Sequence, residues 1–291
     1  MEAYEDLKQG EKGAWVSIGA YVLLSGAKLA VGHASGSQAL LADGLNNATD
    51  IIASIAVLVG LRISRKPPDR NHRYGHFRAE TVAALVASFI MMAVGVQVLI
   101  QAVGAFSEPN LESPGMVAGW TALLCALAML AVYRYNSRLA RRINSQALMA
   151  AAQDNRSDAL VGLGAFVGIV GSQFGIAWLD PFTAVIVGLI ICRTAWLIFR
   201  DATHALTDGF DEAELSKLRQ TVSDSPGVKG VRDIKARVHG NNVLVDVTIN
   251  VNKYLNVVES HAITERIEER MKADHNISHI HIHIEPHEAR E

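Results

Sequence analysis

The sequence predicts an all-α bundle of six transmembrane helices followed by a small cytoplasmic α+β domain of αββαβ, ferredoxin-like order. Three observations predict it. Six apolar stretches, each near the ~20 residues that a spanning helix needs, fill the chain up to Arg200. Basic residues between them collect in alternate loops. Beyond about Phe210 the chain turns charged and amphipathic, with no stretch of spanning length. The expected division is residues 1–209 for the membrane part and 210–291 for the cytoplasmic part.

The apolar stretches run over residues 14–31, 39–61, 80–103, 116–135, 148–174 and 181–199. Polar residues inside them are few and clustered, which argues against six buried helices of a soluble protein. The loop after the second stretch carries Arg62, Arg65, Lys66, Arg70, Arg73 and Arg78, and the loop after the fourth carries Arg134, Arg138, Arg141 and Arg142. The opposite loops, residues 33–38, 107–114 and 175–180, are short and poor in Lys and Arg. Short basic loops stay cytoplasmic. Both termini are therefore expected in the cytoplasm, in a multi-pass protein of the inner (plasma) membrane. Residues 1–13 are charged and do not resemble a cleaved signal peptide. The net charge of −2 gives no argument for nucleic acid. Cys125 and Cys192 both lie in apolar stretches, so neither a disulfide framework nor a Cys-based zinc motif is expected.

In the C-terminal part, residues 212–224 read as a helix with Leu215, Leu218 and Val222 on one face. Residues 228–238 and 243–251 are β-rich, and His239-Gly240-Asn241-Asn242 between them reads as a hairpin turn. Residues 258–273 form a second helix with Ile263, Ile267 and Met271 at four-residue steps. Residues 277–284 alternate strictly, with Ile277, His279, His281 and His283 on one side and Ser278, Ile280, Ile282 and Ile284 on the other. Such an order fits helices on one face of a sheet.

Ionisable residues within spanning helices are costly and mark pathways. Two groups occur here with the same spacing. Asn46 and Asp50 lie four apart in the second stretch, as do Asp154 and Asp158 at the start of the fifth. Four residues is just over one helical turn, so each pair projects from one face. Two such faces together offer four oxygen-bearing side chains around one point, the geometry that a metal ion needs. Asp43, one turn before Asn46, is expected within reach of the same pathway, behind the four donors.

At these residues the chain resembles the cation diffusion facilitators, proton-coupled exporters of divalent transition metals. The resemblance rests on Ala42-Asp43-Gly44 leading into Asn46-x-x-x-Asp50, on the loop from Pro68 to Glu80, and on Asp154-x-x-x-Asp158. It covers nearly the whole length. It implies a transport site at Asn46, Asp50, Asp154 and Asp158, and a homodimer whose cytoplasmic domains touch. It also implies candidate metal ligands at Asp69, His72 and His76 in the loop, where the alternative is a loop anchored by its own hydrogen bonds. A third set is His261, His283 and Glu285 in the cytoplasmic domain, with Asp246 a weaker addition. The sequence departs from the zinc members there, holding Arg232 and Thr248 where they carry histidines.

The donor types point to the ion. Three carboxylates and an amide oxygen suit manganese, magnesium or calcium, whereas imidazole suits zinc and copper. Magnesium dehydrates reluctantly, so a nearly anhydrous cage serves it poorly. Mn2+ is the expected substrate, with Fe2+ or Zn2+ as alternatives. Carboxylate ligands must be deprotonated to bind a metal, so H+ is the expected counter-ion, competing for the same oxygens. A membrane metal sensor or scaffold that binds without transporting is the rival class. An enzyme is not expected: the third class, an intramembrane metallohydrolase, would need a His-rich site such as H-E-x-x-H, which the sequence lacks.

Overall fold

A computed structural model describes residues 2–35, 38–105, 116–174 and 179–287. Six long helices come first: α1 (Glu2–Ser35), α2 (Gln38–Ser64), α3 (Arg78–Ala105), α4 (Met116–Arg142), α5 (Gln146–Gln173) and α6 (Leu179–Leu206). They outrun the predicted stretches. The 27 residues of α4 span about 40 Å at 1.5 Å per residue, against a hydrocarbon core of ~30 Å. Hydropathy marks where the apolar surface ends, whereas the backbone hydrogen-bond ladder continues through Arg134, Arg138 and Arg141. Among the described residues, Asp6–Val31, Arg78–Gly104, Met116–Arg142 and Phe182–Leu206 are each long and apolar enough to cross a membrane. Helices α2 and α5 match them in length but carry the polar pairs. The chain is a multi-pass membrane protein, and its outward faces show Leu23, Ile52, Phe89, Leu124 and Leu189.

Small residues let these helices approach. Lipid offers no hydrophobic drive between helices, so close packing has to do that work. A Cβ on Gly60 of α2 would meet the Ala83 Cβ of α3 at 2.2 Å and the Ala79 carbonyl at 3.1 Å. A Cβ on Gly162 of α5 would meet the Ala126 Cβ of α4 at 3.0 Å. The entry of α5 is set by Ser145, whose Oγ accepts from the Leu148 N–H at 3.1 Å as an N-cap. Glu80 of α3 buries its carboxylate beside Ser145 and the N–H groups of Gln146 and Ala147, where the helix dipole favours negative charge.

The chain divides into two compact units, residues 1–202 and 203–291. In the second, α7 (Glu212–Ser223) is capped by Asp211 and α8 (Val257–His275) by an Asn256/Glu259 capping box. Strands β1 (Gly230–His239), β2 (Asn242–Val251) and β3 (His279–Pro286) form a sheet of order β1-β2-β3. The first pair is antiparallel and joined at the expected hairpin, with Gly240 at φ 65°. The second pair is parallel, and α8 makes the crossover. Leu218, Val222, Ile263, Ile267 and Met271 pack with Val245, Val247 and Ile249 in one core. Strand β3 alternates as expected, with exposed histidines and with Ile280, Ile282 and Ile284 on the core. Ile277 is an exception to the predicted parity, for it is buried. It precedes the strand and sits where left-handed Asn276 ends α8, its N–H donating to the Met271 carbonyl at 3.1 Å.

Candidate metal centre

The α5 pair converges on one atom from another helix. Tyr21 of α1 is fully buried, and its hydroxyl lies 3.1 Å from Asp154 Oδ2. The same hydroxyl donates a short hydrogen bond to Asp158 Oδ2. Both carboxylates of the i, i+4 pair therefore face α1 at one level. Asp50 of α2 is also buried. The structure thus brings Asp154 and Asp158 together at Tyr21 and buries Asp50 on α2, the helix packed beside α1. The side chains of Asn46 and Asp43 lie outside the described residues. The Asn46 backbone continues α2 one turn before Asp50.

A layer of uncharged polar groups supports this centre. Asn155 Nδ2 donates to Tyr21 Oη at 3.1 Å. Asn155 Oδ1 accepts from Ser17 Oγ at 3.0 Å and from Asn136 Nδ2 at 3.1 Å. Asn136 Nδ2 also lies 2.8 Å from Ser17 Oγ. Sequence reasoning did not single out Tyr21, Ser17, Asn136 or Asn155 as site residues. A signal was present: Ser17 and Tyr21 are four apart within an apolar stretch, and a buried tyrosine hydroxyl requires a partner.

Asp69, His72 and His76 gather in the loop between α2 and α3. Their ligating atoms all lie within 4.8 Å of one another. Gly75, at φ 81°, makes the turn that returns His76 toward Asp69, where its Nε2 comes to 3.5 Å from Oδ2. Asp69 Oδ1 accepts from the His72 N–H at 2.7 Å and the Asn71 N–H at 2.8 Å. These bonds, the His72 N–H foremost, hold the Asp69 carboxyl below its ordinary value. The loop is thus self-anchored and also offers three convergent donors.

The third candidate set does not gather within one chain. His283 Nε2 lies 4.0 Å from Glu285 Oε1 on the exposed face of the sheet. His261 stands on α8, the layer on the other face, exposed and 3.6 Å from Glu265. Glu285 already holds a cation, since the Arg232 guanidinium forms a short ion pair with it. Arg232 reaches it from the irregularity between Val231 and Asp233. Asp246 lies 3.9 Å from His281.

Comparison with known proteins adds an independent line. Residues 14–207 match the cation efflux transmembrane domain, and residues 210–287 match the cytoplasmic domain of cation efflux proteins. The manganese efflux system protein MneS of Bacillus subtilis (strain 168) is 56% identical over 286 residues, 98% of this chain and 99% of that protein. The uncharacterized transporter YdbO of the same strain is 52% identical over 98% of this chain and 99% of that protein. The manganese efflux system protein MneP, again of that strain, is 30% identical over 94% of this chain and 95% of that protein.

Proposed function

The chain belongs to the cation efflux family, and from that premise we propose that it exports Mn2+ from the cytoplasm in exchange for protons. The observation that carries this reading is the convergence of Asp154 and Asp158 on one buried hydroxyl, with a third carboxylate, Asp50, buried on the neighbouring helix α2. A buried cluster of three carboxylates repels itself unless cations neutralise it. Protons and a divalent metal are the two cations available to it. They compete for the same oxygens, because a carboxylate that binds metal must release its proton. With Asn46 as the fourth donor the set is entirely oxygen. Oxygen donors suit Mn2+ better than they suit Zn2+. Two relatives bear manganese efflux in their names, in keeping with that chemistry.

In this reading residues 1–209 carry the ion and residues 210–291 join two copies of the chain. The positive charge of the alternate loops supports a cytoplasmic position for both termini. Asp69, His72 and His76 form a secondary ion site on the surface. A metal at His283 and Glu285 would have to displace Arg232, so that position binds weakly, and His261 joins it only through movement or a second copy. Uptake into proteoliposomes with an imposed pH gradient tests the reading, with Mn2+, Fe2+, Zn2+ and Mg2+ compared side by side. Mn2+ flux that exceeds the others and follows the gradient is expected. Metal binding with no flux of any ion would support a sensor or scaffold instead.

A further inference from the structure

We propose that Tyr21 is a positioning residue for the transported ion, its hydroxyl fixing the orientation of Asp154 and Asp158. This rests on the transport-site reading above and goes beyond the four residues that it names. Asn155 Oδ1 is held by the Ser17 hydroxyl and by the Asn136 amide, so the other end of its side chain, Nδ2, faces Tyr21 Oη. An incoming N–H occupies a lone pair of the phenol oxygen. The phenol carries a single proton, and that proton then points to the carboxylates. Asp158 Oδ2 receives it, and Asp154 Oδ2 lies 3.1 Å from the same oxygen.

That one proton, shared between the two Oδ2 atoms or alternating over them, limits the rotation of both carboxylates about the terminal side-chain bond. That torsion is otherwise broad. Fixing it fixes where the remaining lone pairs point, which is what an ion with a preferred geometry responds to. The chain of donors runs from Asn136 on α4, through Ser17 on α1 and Asn155 on α5, back to Tyr21 on α1. Carboxylate orientation is therefore tied to how α1, α4 and α5 pack. Groups that orient metal-ligating carboxylates in this way matter to affinity roughly 10–100-fold when removed.

The test compares three variants of the full-length protein in proteoliposomes, alongside Mn2+ affinity measured by the EPR signal of free Mn2+. Tyr21→Phe keeps the ring and removes the hydroxyl. Its KM and Kd for Mn2+ should rise roughly 10–100-fold while turnover at saturating Mn2+ stays near native. Ser17→Ala removes one of the two donors to Asn155 Oδ1 and leaves the Asn136 amide in place, so its KM should rise less than that of Tyr21→Phe. Asp158→Ala should carry no Mn2+. An inactive Asp158→Ala with a native KM in Tyr21→Phe overturns the proposal and leaves the transport site standing. Native transport by Asp158→Ala overturns the site itself, and the proposal with it. Equal loss of turnover in Tyr21→Phe and Ser17→Ala assigns the network a general packing role and also overturns the proposal. Should Tyr21→Phe not fold, Asn155→Ala takes its place, since it removes the N–H aimed at Tyr21. A raised KM there supports the proposal, and an unchanged KM contradicts it.

Discussion

Replacing Asp158 by Asn removes one charge and keeps the shape of the side chain. The amide oxygen still accepts the Tyr21 hydrogen bond that Asp158 now receives. A hydrogen bond to a charged group contributes about 1.5–3 kcal/mol and a neutral one about 0.5–1.5 kcal/mol, so weakening this bond costs ~1 kcal/mol. Relief of repulsion against Asp154, which reaches the same hydroxyl, offsets part of that cost. The fold should therefore stay within ~1 kcal/mol of native, a few degrees in Tm. Ion binding responds differently. Two unit charges 4 Å apart interact by about 4 kcal/mol at an effective dielectric constant of 20, and a divalent ion doubles that to ~8 kcal/mol. The neutral amide also escapes the desolvation that a carboxylate suffers, so only part of this is lost on binding. Even a quarter of it, ~2 kcal/mol, weakens Mn2+ roughly thirtyfold. EPR titration of Mn2+ against the purified protein, with thermal unfolding on the same sample, reads both quantities. Native affinity in Asp158→Asn would refute the reasoning, and so would an affinity loss matched by unfolding.

Three further outcomes are expected. Asn46→His should raise the ratio of Zn2+ to Mn2+ flux under one proton gradient, because an imidazole suits zinc and leaves the three carboxylates in place; an unchanged ratio in an active protein would set selectivity elsewhere. Arg232→Ala should strengthen metal binding by the C-terminal domain of the full-length protein, since it frees Glu285 beside His283; calorimetric titration against wild type reads this, and equal affinities would mean that Arg232 does not guard the position. The Asp69 carboxyl is held below its ordinary value by the His72 N–H. Its contribution to loop order is thus present above the unfolded value of ~3.9 and is lost as pH falls through the lower folded value. Hydrogen exchange at the His72 amide should stay slow down to about pH 4 and quicken only below it, whereas quickening already near pH 6 would assign the loop's order to its histidines instead.

The bundle was legible because hydropathy is a local property. Each stretch declares its own apolar surface, and the basic loops separate the stretches. Helix length was less legible, since α4 runs on through Arg134 and Arg138 to Arg142 after its lipid-facing surface ends. The αββαβ order followed from periodicity and from the Gly240-Asn241 turn. Ile277 escaped that reading because strict alternation presumes a strand, and the left-handed Asn276 intervenes. At the site, the i, i+4 spacing of Asp154 and Asp158 was visible in the sequence. Their anchor was not. Tyr21 meets them across more than 130 residues, and no local pattern announces such a contact. His261 illustrates the converse: its residue type suited a metal site, but its place on α8 puts it on the layer opposite His283.

The central claim is that one cluster of oxygens binds metal and protons in alternation. Proteoliposomes holding a pH-sensitive dye test it most directly, with Mn2+ and proton fluxes followed together in wild type and in Asp50→Ala. The account predicts proton flux opposite to Mn2+ flux, rising and falling with it, and the loss of both in Asp50→Ala. Mn2+ flux that leaves the internal pH unchanged, or that persists at the native rate in Asp50→Ala, would contradict it.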